Sequence, residues 1–136
     1  IIFLNTNPVR KFSLGATERL KSTKKIQELF ASGRIAHLPP FKIIYKTNKE
    51  TLLLQFGVAV GTRQFKKAVD RNKIKRRIRE AYRLQKNELK GWVISKQQGL
   101  SIFIIYTGKE IPEYDFVFER IGKILKKIKA ELDASA

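Results

Sequence analysis

Apolar positions recur every three or four residues in three stretches of the 136-residue chain, which predicts three helices. The first starts at Ser22 or Thr23, both suitable N-caps, and ends at Gly33. A long basic helix is predicted from about Lys67 to Lys90, with Gly91 as its C′ residue. The last begins near Pro112 and Asp115, and its apolar positions are Phe118, Ile121, Leu125, Ile128 and Leu132.

Strand patterns lie between these helices. FKIIYK (41–46) alternates after Pro39 and Pro40, which suggest a sheet edge or an interrupted strand start. LLLQFGVAV (52–60) sets Leu52 and every second residue after it on one side, while residues 48–50 are typical of a turn. LSIFIIY (100–106) is continuously apolar and predicts a central strand. This order predicts one α+β domain, a sandwich with one small sheet of three or four strands.

The net charge of the chain indicates a polyanionic partner. The net charge is +17, from 29 basic and 12 acidic residues, and self-repulsion on that scale opposes compaction unless a polyanion offsets it. Nucleic acid and an anionic membrane surface both satisfy this requirement. The opening IIFL is too short to span a bilayer. An interfacial helix needs an apolar face free to enter lipid, whereas the apolar face of the basic helix is needed for the core of the domain. Nucleic acid is therefore the favoured partner.

The basic helix contains AVDRNKIKRRIRE (68–80), and a helical wheel divides it into two faces. At about 100° per residue, an apolar stripe forms from Ile74, Ile78, Ala81 and Tyr82 with Gln85. The opposite band holds Asn72, Arg76, Arg79 and Arg83, and Lys73 and Lys75 flank it. Residues 63–90 carry twelve basic and three acidic residues, whereas a merely solvated face usually mixes signs. We therefore predict a nucleic-acid contact. Arg71 lies close to the stripe, so its stem is expected to be packed, with its head reaching outward.

Residues for catalysis are sparse. The chain has no cysteine, which fits a reducing cytoplasm, and His37 is its only histidine. Two-metal nuclease chemistry needs converging carboxylates, whereas Asp70 and Glu80 are ten residues apart, roughly 15 Å along a helix. A self-sufficient nuclease is not expected.

A family resemblance appears in FKKAVDRNKIKRRIR (65–79), which resembles the signature helix of the bacterial ribonuclease P protein component. The matching residue types are Ala68, Arg71, Asn72, Ile74, Arg76, Ile78 and Arg79. The likeness spans about residues 12–132, including ERLKS (18–22) and FGVAV (56–60). Lys66 stands where many members have Gly, Lys73 is a variant the family uses besides Arg, and the loop at 61–64 is longer by about one residue. We divide the chain into a mostly extended or mobile arm (1–17) and one RNA-binding domain (18–133).

The resemblance implies an α-β-β-β-α-β-α fold with a left-handed βαβ crossover around the basic helix, the ribosomal protein S5 domain 2-like arrangement. It also implies a cytoplasmic protein that binds the catalytic RNA of ribonuclease P and the 5′ leader of precursor tRNA. The RNA, with Mg²⁺, carries the chemistry, and the protein itself binds no cofactor. Sulfate or phosphate should bind and stabilise the free protein. The alternative is a ribosomal or other structural RNA-binding protein.

Two sets of site residues follow from the resemblance. For the catalytic RNA, the resemblance implies contacts by Arg71, Asn72, Lys73, Arg76 and Arg79, and the helical wheel adds Arg83 and the flanking Lys75. A cleft for the leader is implied for Ile26, Phe30, Phe41, Tyr45 and Lys67. Ile26 stands where members often have Phe, and Phe30 and Phe41 are equally well explained as core residues. Tyr45, between Lys42 and Lys46 and with a polar tip, is the better surface candidate.

Overall fold

The fold comprises four helices and four strands in the part of the chain that the structure, a computed structural model, describes: residues 19–20 and 23–135. Ser22 and the predicted arm (1–17) lie outside the described residues. The elements in chain order are α1 Thr23–Ser32, β1 Arg34–Leu38, β2 Phe41–Asn48, β3 Leu54–Val60, α2 Ala68–Gln85, α3 Asn87–Lys96, β4 Gly99–Tyr106 and α4 Tyr114–Ser135.

The strands form one mixed sheet in the order β1-β2-β4-β3. β1 pairs antiparallel with β2 and β2 with β4, whereas β3 and β4 run parallel. The continuously apolar strand β4 is therefore interior, as predicted. The connection between β3 and β4 passes through α2 and α3, and the left hand implied for this crossover stays a prediction.

One face of the sheet, which we call the covered face, packs beneath α2 and α4. Residues Ile74, Ile78, Ala81 and Tyr82 of α2 are fully buried here, which confirms the predicted stripe. Tyr82 stacks on Phe56 of β3, with ring centroids 3.8 Å apart and planes inclined by 7°. The buried residues of α4 are Val117, Ile121, Ile124, Leu125, Ile128 and Leu132. The main hydrophobic core therefore lies on this side.

Within residues 19–20 and 23–135, α1 is the one helix that crosses the other face, which we call the open face. Its buried cluster is small and comprises Leu20, Leu29, Ile44 and Phe103. Residues 19–20 extend this side of the fold, because Leu20 N donates to Phe56 O at 2.9 Å and Arg19 bridges to the same strand. Gly33 ends α1 as predicted, and Gly33 N donates to Leu29 O at 2.7 Å.

The predicted basic helix is wrong at its C-terminal end. α2 stops at Gln85, and α3 continues past Gly91 to Lys96. Leu89, Trp92 and Val93 of α3 are buried, and their packing outweighs the roughly 1 kcal/mol that Gly costs inside a helix. The left-handed residue that ends α3 is Gln97, with φ 55°.

Two apolar positions also differ from prediction. Leu52 precedes β3 and is 53% exposed, so the strand begins at Leu54. Phe118 is 37% exposed at the margin of α4, because Val117 and Ile121 occupy the centre of the buried stripe. The predicted turn at 48–50 is confirmed, with Glu50 N donating to Asn48 Oδ1 at 2.8 Å. None of the helices within the described ranges is both long and apolar enough to cross a bilayer.

Candidate nucleic-acid interface

The solvent side of α2 carries a continuous basic band, which we define as Asn72, Lys73, Lys75, Arg76, Arg79 and Arg83. Four of these residues are exposed, and Lys75 and Arg83 are half-buried. Ile74 and Ile78, on the opposite side of the same helix, are 0% exposed. Packing of the apolar stripe thus fixes the rotation of α2 and turns the cations outward.

Arg71 has a structural role at the start of α2. Its Nη1 donates to Phe65 O at 2.7 Å and to Lys66 O at 2.8 Å. Both bonds tie the helix to the loop that follows β3, and the residue is half-buried. The expectation that the Arg71 head reaches outward is wrong, because its guanidinium group is held by these two backbone carbonyls.

Arg83 forms an ion pair with Glu80. Its Nε donates to Glu80 Oε1 at 2.9 Å and its Nη2 to Glu80 Oε2 at 2.6 Å. This bidentate pair raises the pKa of Arg83 and lowers the pKa of Glu80. Arg83 therefore contributes less unbalanced positive charge to the basic band than Arg76 or Arg79.

Arg79 lies close to a second cation that sequence reasoning missed. Burial, and then repulsion from Arg19, lower the pKa of Arg79. Arg19 is held against the edge strand β3 by its bridge to Phe56. An anion beside both guanidinium groups would relieve the repulsion, which makes Arg19 a further candidate contact. In the sequence, Arg19 belongs to the segment ERLKS (18–22), which lies outside the helical pattern of α2. The pattern of α2 therefore gave no indication that Arg19 and Arg79 are close.

The open face presents an aromatic surface. Phe30 is 48% exposed and meets Phe103 of β4 edge to face, with ring centroids 5.4 Å apart. Ile26, half-buried, packs against the same small cluster as Phe103. Lys42 is paired in register with Ile105, on the same side of the sheet as Phe103. Exposed aromatic carbon beside cations suits stacked, unpaired bases.

Phe41 and Tyr45 are not part of this surface, so their assignment to the cleft is wrong. Each is 1% exposed and faces the covered side. Phe41 packs on Tyr106, and the Tyr45 hydroxyl donates to Glu131 of α4. Burial, followed by this hydrogen bond, raises the pKa of Tyr45. Side chains alternate along β2, so these odd-numbered positions point towards the helices.

Phe103 is the strand aromatic that the sequence analysis did not select. The apolar run of β4 hides its alternation, because both faces of an interior strand are apolar. Lys67, also predicted for the cleft, is exposed and immediately precedes α2. Lys67 therefore lies at the N-terminal end of α2 and is not on the sheet.

Acidic groups do not converge in the described ranges. Across residues 19–20 and 23–135, no three His, Asp or Glu side chains are grouped so that they could hold a metal ion. His37 is exposed on β1, and the Glu80 carboxylate is paired with Arg83. The chemistry this surface supports is recognition of phosphates and bases.

Comparisons with known proteins find relatives over most of the chain. The family model described as Ribonuclease P matches residues 14–129. A ribonuclease P protein component of Porphyromonas gingivalis is 30% identical over 127 residues, covering 92% of this chain and 93% of that protein. One from Chlorobium phaeobacteroides is 28% identical over 138 residues, covering 93% and 91%. The fold is similar to that of the Staphylococcus aureus RNase P protein, with a TM-score of 0.66, 23% identity, and coverage of 82% of this chain and 95% of that one.

Proposed function

Since the chain belongs to the ribonuclease P protein family, we propose that it is the protein subunit of a ribonuclease P ribonucleoprotein in the cytoplasm. In this role it binds the catalytic RNA and assists removal of the 5′ leader from precursor tRNA. The observation that carries the proposal is the basic band of α2, which turns Asn72, Arg76 and Arg79 to solvent above a fully buried stripe.

The basic band is the surface proposed for the catalytic RNA. Arginine and lysine bind phosphates through charge-assisted hydrogen bonds, and each neutralised phosphate releases condensed counterions. The Asn72 amide can donate to a phosphate or read a base edge or a ribose hydroxyl. Arg19 extends this contact beside Arg79, and Arg71 supports it by holding the preceding loop.

The open face is the surface proposed for the single-stranded leader. Phe30 offers an exposed ring, Phe103 supports it from below, and Ile26 packs against the same cluster. Stacking tolerates any base, as recognition of leaders of differing sequence requires. Lys42 lies on this side of β2 and would bind the leader phosphates.

The cleavage chemistry is assigned to the RNA and its Mg²⁺ ions. Residues 19–20 and 23–135 offer no cluster of acidic or histidine ligands, so they do not fit a resident metal of their own. What the protein supplies is binding energy for the leader-bearing substrate, together with positive charge that lowers repulsion between the two RNAs.

A processing assay tests this function. The purified chain alone should cleave nothing, and at low Mg²⁺ it should accelerate cleavage of precursor tRNA by the cognate catalytic RNA. The double variant Arg76→Ala/Arg79→Ala should weaken RNA affinity and reduce the slope of log affinity against log salt by about 2. The matched control Lys109→Ala/Lys127→Ala removes the same charge from exposed positions outside α2 and should leave the slope nearly unchanged.

Three results would contradict the proposal in whole or in part. Absence of stimulation by the unmodified chain would remove the assignment, and ribosomal particles as the co-purifying RNA would favour a structural RNA-binding protein instead. An unchanged salt slope in Arg76→Ala/Arg79→Ala would remove the basic band from the interface. In the isolated protein, sulfate should raise the melting temperature, because an anion bound only by the folded state relieves its repulsion.

A further inference from the structure

A second cluster of cations surrounds a cavity of about 280 Å³ at the end of the sheet where β1 begins and β2 ends. The cavity lies against α3 and α4, and its wall includes Tyr45 and Trp92. Arg34, Lys46 and Lys96 also line it, and they come from β1, β2 and the last turn of α3. Three separate elements of the fold thus bring positive charge to one recess.

Acidic groups do not cancel this charge at the wall. The lining residues include three cations and no carboxylate. Two carboxylates outside the lining contact its residues: Glu131 accepts a hydrogen bond from the Tyr45 hydroxyl, and Asp133 accepts from Trp92 Nε1 at 3.1 Å and is paired with Lys129. Glu131 therefore offsets at most one of the three cations. The Lys46 ammonium donates to Ser32 Oγ at 2.7 Å, a neutral partner that positions it without neutralising it.

The chemistry of the recess fits a phosphate group. A guanidinium supplies a planar set of donors, and two ammonium groups add point charges from other directions. Hydroxyl groups of Ser32, Thr47 and Ser135 complete a polar wall. The volume exceeds that of a lone phosphate and leaves room for the attached sugar.

The recess is remote from the motif end of the basic band. Asn72 lies in the first turns of α2, which starts beyond the C-terminal end of β3. Because β3 and β4 are parallel, this is also the end of the sheet where β4 ends, whereas the recess lies where β4 begins. An eight-residue strand such as β4 spans roughly 25 Å. A single phosphate cannot reach both places, although one RNA can.

We propose that this recess is a second phosphate-binding site, through which an RNA contacts the protein at the end of the sheet opposite to the Asn72 end of α2. The identification of the ligand as RNA rests on the proposed function. The phosphate chemistry rests on Arg34, Lys46 and Lys96 alone.

Trp92 offers a direct probe, because it is the only tryptophan of the chain and lines the recess. The full chain is titrated with inorganic phosphate, and separately with a short single-stranded oligouridylate, at an ionic strength held constant with chloride. Both should give a saturable change in Trp92 fluorescence and should shift the resonance of its indole N–H. In Arg34→Gln/Lys46→Gln/Lys96→Gln the affinity should fall at least tenfold.

The control for charge is Lys109→Gln/Lys126→Gln/Lys127→Gln, which removes three charges from exposed positions outside the recess and should bind as the unmodified chain does. Lys96→Gln alone should weaken binding about threefold, and its exposed position makes it safe for the fold if the triple variant unfolds. The phosphate site would be overturned if binding were unaltered in the triple recess variant or in Lys96→Gln, or if the Trp92 signal did not saturate. Phosphate binding without oligouridylate binding would overturn the RNA contact.

This experiment separates the two proposals. Arg76→Ala/Arg79→Ala should lose affinity for the catalytic RNA and keep the Trp92 response to phosphate. If the unmodified chain failed to stimulate precursor tRNA cleavage while Trp92 still responded, the proposed function would fall and the phosphate site would stand.

Discussion

The two faces of the sheet are made by the same strands and differ in what covers them. On the covered face, α2 and α4 bury almost every apolar side chain, including Ile102 and Ile104 at 0% exposure. On the open face, the buried cluster beneath α1 comprises four residues of the described part of the chain, and Phe30 is left 48% exposed. The covered face therefore supplies most of the fold's stability, and the open face keeps apolar surface available to a partner.

Helix α2 repeats this contrast on a smaller scale. Its buried stripe is wholly apolar except for the Tyr82 hydroxyl, and its exposed side is dominated by cations. Burial on one side sets the direction of the charges on the other. A change on the covered side should thus alter stability, while a change on the exposed side should alter RNA binding.

The sharpest test compares Ile102→Ala with Ile105→Ala, which are matched substitutions in β4 on opposite faces. Ile102 is fully buried, so its truncation should cost about 2 to 5 kcal/mol of unfolding free energy. Ile105 is half-buried, and its loss should cost about 1 kcal/mol because water already reaches part of the side chain. Chemical denaturation measures both, and equal losses would erase the distinction between the faces.

Arg71 is a cation on the partly exposed side of α2 that should nevertheless behave as a structural residue. Arg71→Ala removes two charge-assisted hydrogen bonds to Phe65 O and Lys66 O and should cost about 2 kcal/mol of unfolding free energy. Arg76→Ala should cost less than about 0.5 kcal/mol, since Arg76 is exposed. Thermal denaturation of the two variants side by side is the measurement. A stable Arg71→Ala with impaired RNA binding would place that residue with the basic band instead.

Periodicity predicted most of the fold. The apolar stripe of α2, the interior position of β4 and the termination of α1 at Gly33 were each readable, because burial and chain reversal leave local patterns. The end of α2 could not be predicted from the local pattern. Gly91 is a common stop signal, but the packing of Leu89 and Trp92 carries the helical path past it, and that packing depends on distant residues.

The candidate site was predicted less completely than the fold. Local sequence indicated which residues of α2 face solvent, and it identified Arg71 as different from its neighbours. It did not indicate which side of β2 faces α1, so Phe41 and Tyr45 were placed with Phe30 although both are buried on the other side. Nor could it pair Arg19 with Arg79, because that proximity exists only once residues 19–20 lie against β3.

Phe30 tests the function of the open face. Phe30→Ala removes an edge-to-face contact with Phe103 and should cost about 1 kcal/mol of stability. If the leader stacks there, affinity for leader-bearing precursor tRNA should fall about tenfold, while affinity for mature tRNA stays unchanged. Phe116→Ala is the matched control, since Phe116 is 37% exposed on α4 and lies outside the open face. Equal loss for both substrates would show that Phe30 does not touch the leader.

The smallest expected effect concerns Glu80, whose carboxylate partly neutralises the positive charge of the basic band. Glu80→Gln removes the bidentate pair with Arg83 and should cost less than about 1 kcal/mol of stability, because solvent reaches part of both side chains and screens the pair. The pKa of Glu80 is lowered in the folded state, so its contribution is present above the unfolded pKa and is lost as the pH falls through the folded value. The stability difference between Glu80→Gln and the unmodified chain should therefore vanish in acid. At neutral pH the variant should bind RNA about twofold more tightly and with a steeper salt dependence, since removal of the Glu80 charge leaves the basic band more positive. Weaker RNA binding would mean that Glu80 is needed to hold Arg83 in place, and the basic band would then depend on its acidic neighbour for geometry.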